Sequence, residues 1–160
     1  RTGLFLPFSI RSNIVISTLT RLTNKLGMVL PREEKALSDR FIKRMRVRTT
    51  SDLKTVSELS GGNQQKVIIA RWLASNCKLL IFDEPTRGID VGAKAEIYVM
   101  LQELAAQGLG VVVISSDLPE VIGLCDRVLV MRYGSIRATL TGADINSEKI
   151  MTYASGGENG

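Results

Sequence analysis

The run Lys78-Leu79-Leu80-Ile81-Phe82-Asp83-Glu84-Pro85 restricts the fold of this chain more than any other stretch. An apolar segment of strand length that stops abruptly at two carboxylates and a proline reads as a buried parallel strand with acids at its C-terminal end. Gly110-Val111-Val112-Val113-Ile114-Ser115 reads as another buried strand. Between them Ile97, Met100, Leu101 and Leu104 recur at three- and four-residue spacing, the pattern of an amphipathic helix, stopped by Gly108. Strand, helix, strand gives α/β as the expected fold class, with a mostly parallel sheet. Such sheets bind ligands at the carboxyl ends of their strands, which puts Asp83 and Glu84 at the active edge. An Asp there can hold Mg2+, usually through water, and the adjacent Glu can orient or deprotonate an attacking water.

Upstream, Leu59-Ser60-Gly61-Gly62-Asn63-Gln64-Gln65-Lys66 places a hydroxyl and two glycines before a helical run over 67–74. The backbone N–H groups at such a start are bare of side chains and form an anion site. Ser60 suits the N-cap and can also donate its hydroxyl to a phosphate, while Gly61 and Gly62 let a bulky anion touch the main chain. Taken alone, the motif reads more readily as an ordinary capped helix after a glycine turn. The acid-ended strand that follows favours the phosphate reading.

Signature helix, acidic strand end, and then Thr86-Arg87-Gly88-Ile89-Asp90-Val91-Gly92-Ala93-Lys94 together resemble the ATP-binding cassette (ABC) family. More narrowly, the motifs resemble the second cassette of the tandem ATPase subunits that power bacterial ribose, galactose and xylose importers, over residues 3–140. The resemblance implies a partial P-loop NTPase-like cassette with a helical subdomain. It implies a loop plus helical subdomain over 1–58, a signature helix and ATPase core over 59–142, and a C-terminal helix and tail over 143–160. ATP and Mg2+ are the implied cofactors. Ser60, Gly61, Gly62, Asn63 and Gln64 would contact ATP held by a partner cassette, Asp83 would hold Mg2+, and Glu84 would be catalytic. Asp90 falls at the loop that bridges two cassettes; capping of the helix that follows is the structural alternative, and the match of the whole 88–94 run to the family favours the bridging role.

Two positions depart from the commonest cassette pattern. Asn63 stands where most signatures have Gln, as it does in the sugar-import group. Ser116 stands where an active cassette has a histidine that contacts the γ-phosphate, and serine is shorter and cannot carry a positive charge. The site containing Glu84 is therefore expected to hydrolyse slowly. The implied partners are another ABC cassette, transmembrane permease subunits and, indirectly, a periplasmic sugar-binding protein. The implied location is cytoplasmic, peripheral on the inner face of the membrane.

The rest of the chain bounds these expectations. Its 160 residues, 44% hydrophobic, suit one domain, and Arg1 with an opening in mid-pattern reads as a fragment of a longer polypeptide. No G-x-x-x-x-G-K-[ST] sequence is present, so the chain reads as the second half of a nucleotide site that alone binds ATP weakly or not at all. The formal charge of +5 would permit nucleic acid, but Lys and Arg are dispersed except over 43–48, which reads as a solvated helix face. A soluble cassette acting on nucleic acid or ribosomes, or a catalytically silent interaction module, are the competing readings; no nucleic acid is expected under the leading one.

Smaller features fill in the remaining segments. Cys77 and Cys125 lack metal-type spacing and read as reduced, buried thiols. Ile10, Ile14 and Val15 mark a first helix, and Pro31 with Glu33 and Glu34 opens a second, carrying Leu37, Phe41, Ile42 and Met45 on one face. Trp72 reads as a packing residue. Segments 127–131 and 136–140 read as strands joined at Tyr133-Gly134-Ser135, 147–153 as a weak helix, and 155–160 as a frayed tail.

Overall fold

The computed structural model describes residues 3–24 and 26–156. The expected α/β class holds: six helices, α1 (Ile10–Val15), α2 (Pro31–Arg44), α3 (Gly61–Ala74), α4 (Val91–Ala106), α5 (Leu118–Leu124) and α6 (Ser147–Ser155), are interleaved with β1 (Leu79–Asp83), β2 (Gly110–Ile114), β3 (Arg127–Arg132) and β4 (Ser135–Thr141) among the described residues. Two compact units result. One runs up to Leu80 and resumes over Thr86–Val112; the other comprises Ile81–Pro85 and the chain from Val113 onward.

The first unit is helical. Ser9 caps α1, its Oγ accepting the Ser12 N–H at 3.1 Å. In α2, Pro31 opens the helix, Glu33 and Glu34 lie in the first turn, and Lys43 and Arg44 lie in the last, the order that complements the helix dipole. Its inward face is narrower than the spacing predicts: Phe41 and Met45 are buried, but Leu37 and Ile42 are only partly so. α1, α2 and α3 pack together around Ile10, Ile14, Val67, Ile69 and Ala70. Arg71 is buried among them, where its Nε donates to Asn13 O at 2.7 Å and its Nη2 to Asn13 Oδ1 at 2.6 Å, satisfying a cation that burial would otherwise penalise.

α4 belongs to the same unit and buries the expected stripe Ile97, Met100, Leu101 and Leu104. A flank of the same helix receives the basic run. Arg44 Nη2 donates to Gln107 Oε1, Arg46 Nη2 to Glu103 Oε1 and Arg48 Nη2 to Glu96 Oε1, at 2.7, 3.1 and 2.6 Å. These cations are exposed but spent on α4, which differs from the solvated face that the sequence suggests.

β1 and β2 pair with each other. Gly110 N–H donates to Lys78 O at one end and Glu84 N–H to Ile114 O at the other, so the strands run parallel, as expected. Burial differs from expectation. Leu80 and Phe82 are buried, whereas Leu79 and Ile81 are 53% and 63% exposed, and Val112 and Ile114 are exposed as well. Apolar composition marks a strand suited to cover on both faces, but here only one face has it. Trp72 also departs from its reading, being 48% exposed on α3.

The second unit closes around β3 and β4, an antiparallel hairpin whose end pair is Arg132 with Ser135. Tyr133 and Gly134 both take positive φ, 49° and 73°, which is the two-residue turn whose twist matches that of the strands. α6 lays Ile150 on Val128, Val130 and Leu140, with Tyr153 and Cys125 at the margin. That packing accounts for a helix whose own propensity is weak, and Asn146 caps it by accepting the Lys149 N–H at 3.0 Å. Cys77 and Cys125 are free and only partly buried. Ser155 ends α6 and Gly156 closes it in the left-handed conformation, which departs from the frayed-tail expectation at those two positions; positions 157–160 lie outside the described residues.

Candidate functional site

Ser60 to Gln64 and Asp90 fall in the first unit; Asp83, Glu84 and Ser116 fall in the second.

In the first unit, α3 begins at Gly61 directly after an extended Ser60, so the residues of the signature form the first turn itself. Ser60 holds the N-cap position but its side chain makes no cap bond to the backbone. Its Oγ instead accepts the Asn63 Nδ2 donor at 3.0 Å, while Asn63 Oδ1 accepts the Arg48 N–H at 2.8 Å. Gln64 turns back, its Nε2 donating to Leu59 O at 3.0 Å and Val56 O at 3.3 Å, which fixes the approach of the chain to the helix.

The two glycines differ in their reasons. Gly61 is exposed, and a Cβ there would meet nothing closer than Gly88 O at 3.9 Å. Gly62 is buried, and a Cβ there would lie 2.6 Å from Ala93 Cβ. Absence of a side chain at Gly62 therefore lets α3 seat on the start of α4, a packing role that the motif's spacing does not disclose. At that start Asp90 is the N-cap, its Oδ1 accepting the Ala93 N–H at 2.9 Å. Behind the turn, buried Lys66 donates to Glu96 Oε2 at 2.6 Å and to Arg46 O at 3.3 Å. The Lys66 hydrogen bond holds the Glu96 carboxyl below the usual carboxylate range.

In the second unit, Asp83 ends β1 with its carboxylate exposed. Glu84 follows in the left-handed region at φ 48°, a conformation that a non-glycine residue adopts at a local cost of order 1 kcal/mol. Two bonds hold it there: Glu84 N–H donates to Ile114 O at 2.8 Å, and Glu84 Oε1 accepts the Ser116 N–H at 2.9 Å. The carboxylate is thus aimed by the main chain that follows β2. Among the described residues no three acids, cysteines or histidines converge on a metal position. An exposed, single carboxylate beside a strand end nonetheless fits Mg2+, which keeps several waters and takes other ligands from phosphates.

A helix start with a hydroxyl suits an anion, and a strand end with a directed carboxylate suits a metal or an attacking water. The profile of the ABC transporter family matches residues 4–87. This chain belongs to the ABC transporter family. The matched stretch holds both Ser60-Gly61-Gly62 and Asp83-Glu84. Similarity of this ABC chain to individual proteins extends further. It is 50% identical over 157 residues to the ribose import ATP-binding protein RbsA of Hahella chejuensis, covering 98% of this chain and 31% of that protein. It is 53% identical over 147 residues to the arabinose import ATP-binding protein AraG of Rhizobium johnstonii, covering 91% of this chain and 29% of that protein. The ABC chain therefore spans less than a third of the length of these curated relatives.

Solved structures agree on the fold. A nucleotide-free ATP-binding cassette from an ABC transporter superposes with a TM-score of 0.76 at 21% identity, covering 91% of this chain and 60% of that one. The cassette MJ0796 in a dimeric post-hydrolysis state with ADP and Pi superposes with a TM-score of 0.70 at 23% identity, covering 87% of this chain and 59% of that one. The α/β cassette fold inferred from the sequence is thus that of the ABC chain, in part. No helix among its described residues is long and apolar enough to cross a membrane.

Proposed function

We propose that this chain is the signature-and-acid half of a cassette that hydrolyses ATP to drive import of a monosaccharide. The observation that carries the reading is the directed carboxylate of Glu84, held at 2.9 Å by the Ser116 N–H and next to the exposed Asp83. Relatives named as ribose and arabinose import ATP-binding proteins supply the sugar class.

Each residue has a role in this scheme. Ser60, Gly61 and Gly62, with Asn63 and Gln64 behind them, form the start of α3 that meets the γ-phosphate of ATP held by another cassette. Helix-start N–H groups and the dipole there favour the charge that phosphoryl oxygens carry. Asp83 would hold Mg2+, which when bound neutralises phosphate charge. Glu84 accepts a proton from, or orients, the attacking water of its own site, and Asp90 bridges the two cassettes. Closure of the pair around ATP is passed to permease subunits at the inner face of the membrane, and a periplasmic binding protein delivers the sugar. The domain boundaries proposed above, at 58 and 142, follow this division of labour.

ATP hydrolysis by a full-length protein carrying this chain tests the reading, with Glu84→Gln as the variant. Turnover falling by about 100-fold or more, with ATP binding kept, is expected from loss of a positioned base. Unchanged turnover would remove Glu84 from the mechanism.

A further inference from the structure

The hydrogen bonds around Ser60 determine which way its hydroxyl proton points. A backbone N–H can only donate, so the Arg48 N–H requires that Asn63 turn its Oδ1 toward it, at 2.8 Å. Asn63 must then present its NH2 to Ser60, and Ser60 Oγ, 3.0 Å away, must accept. A serine whose oxygen already receives a hydrogen bond keeps its own proton free. Asn63 turns its Oδ1 to Arg48 and its NH2 to Ser60, so the side chain does not compete for that proton.

The Arg48 N–H is itself held in place. Arg46 adopts a left-handed φ of 51°, and its carbonyl accepts from the buried ammonium of Lys66 at 3.3 Å. Lys66 and the Arg48 guanidinium grip the two oxygens of Glu96, each at 2.6 Å. The segment that aims Asn63 is therefore clamped to α3 by Lys66 and to α4 by Glu96.

We propose that Asn63 is a positioning residue for Ser60: it orients the serine hydroxyl so that its proton faces outward, toward a phosphoryl oxygen. This rests on the proposed role of Ser60 at ATP. Asn63 acts through Ser60 and is not itself required to touch nucleotide.

The test is a double-mutant cycle on kcat/KM for ATP in the full-length protein, using Ser60→Ala, Asn63→Ala and the double variant. Asn63→Ala alone is expected to lower kcat/KM about fivefold, the scale of one neutral hydrogen bond, and to cause no further loss in the Ser60→Ala background. Asn63→Asp keeps the shape and the Arg48 bond but accepts the Ser60 proton, turning it inward; it is expected to lose at least as much as Asn63→Ala. In the nucleotide-free protein, the Asn63 side-chain amide resonances are expected to shift on Ser60→Ala. Additive losses, full activity of Asn63→Asp, or unmoved amide resonances would each overturn the proposal while leaving the role of Ser60 intact. If Ser60→Ala itself is without effect, the role of Ser60 at ATP fails together with it.

Discussion

Ser116 holds Glu84 through its backbone, its N–H donating to Glu84 Oε1 at 2.9 Å. The side chain at this position is thus free to differ without releasing the carboxylate. What serine cannot supply is the imidazole that a cassette commonly brings to the γ-phosphate, which motivates the proposal that the site containing Glu84 turns over slowly. Ser116→His in the full-length protein is predicted to raise single-site hydrolysis by about tenfold or more, at or below the usual range for a positioned acid or base. Single-turnover kinetics read this directly, and an unchanged rate would show that the imidazole is not what limits this site.

Gly62 sits where no side chain fits. A Cβ there would lie 2.6 Å from Ala93 Cβ, so Gly62→Ala must push α3 away from the start of α4. Overpacking of this kind costs about 1–3 kcal/mol. Thermal unfolding is predicted to show a Tm lowered by several degrees, and Ala93→Gly in the same protein is predicted to restore most of it. Loss of ATP-driven turnover without any loss of stability would instead assign Gly62 to the phosphate alone.

Acid sensitivity should concentrate on the pair of Arg11 and Asp52. Arg11 Nε donates to Asp52 Oδ2 at 2.7 Å, and that hydrogen bond holds the Asp52 carboxyl below the usual carboxylate range. A carboxyl with a depressed folded-state pKa adds stability above its unfolded pKa of about 3.9, and loses it as pH falls through the lower folded value. Arg11 stays charged throughout, its own pKa being raised by the same bond. Denaturation midpoints are therefore predicted to drop below about pH 4 in the parent, with a shallower drop in Asp52→Asn. Parallel pH profiles for the two proteins would show that the pair does not contribute.

Much of this architecture is legible in the sequence. β1 announces itself by an apolar run closed by Asp83 and Glu84, and the α4 stripe by regular spacing, since a strand end and a helix face are local patterns. Residues Tyr133 and Gly134 mark the hairpin because a two-residue turn has few sequence solutions. What is not legible depends on partners distant in sequence. The pairing of the basic run with α4 joins residues 57 and 63 positions apart, and no spacing rule reaches that far. Gly62 looks like a phosphate glycine until Ala93 is placed beside it. Exposure of Leu79 and Ile81 is also hidden, because apolar composition does not reveal which faces of a strand are covered. At Ser116 the sequence shows only the side chain, whereas the contact to Glu84 comes from the backbone.

The central claim is that these 160 residues carry the signature for one nucleotide site and the acids of another, and hold no phosphate-gripping loop of their own. ATP binding and hydrolysis by this chain alone, and by a version extended upstream through a G-x-x-x-x-G-K-[ST] loop, test it most directly, with Glu84→Gln as the control. The account predicts that only the extended protein binds ATP firmly and that Glu84→Gln suppresses its turnover. Tight ATP binding by the short chain would contradict it, because the binding energy would then lie in residues already present here.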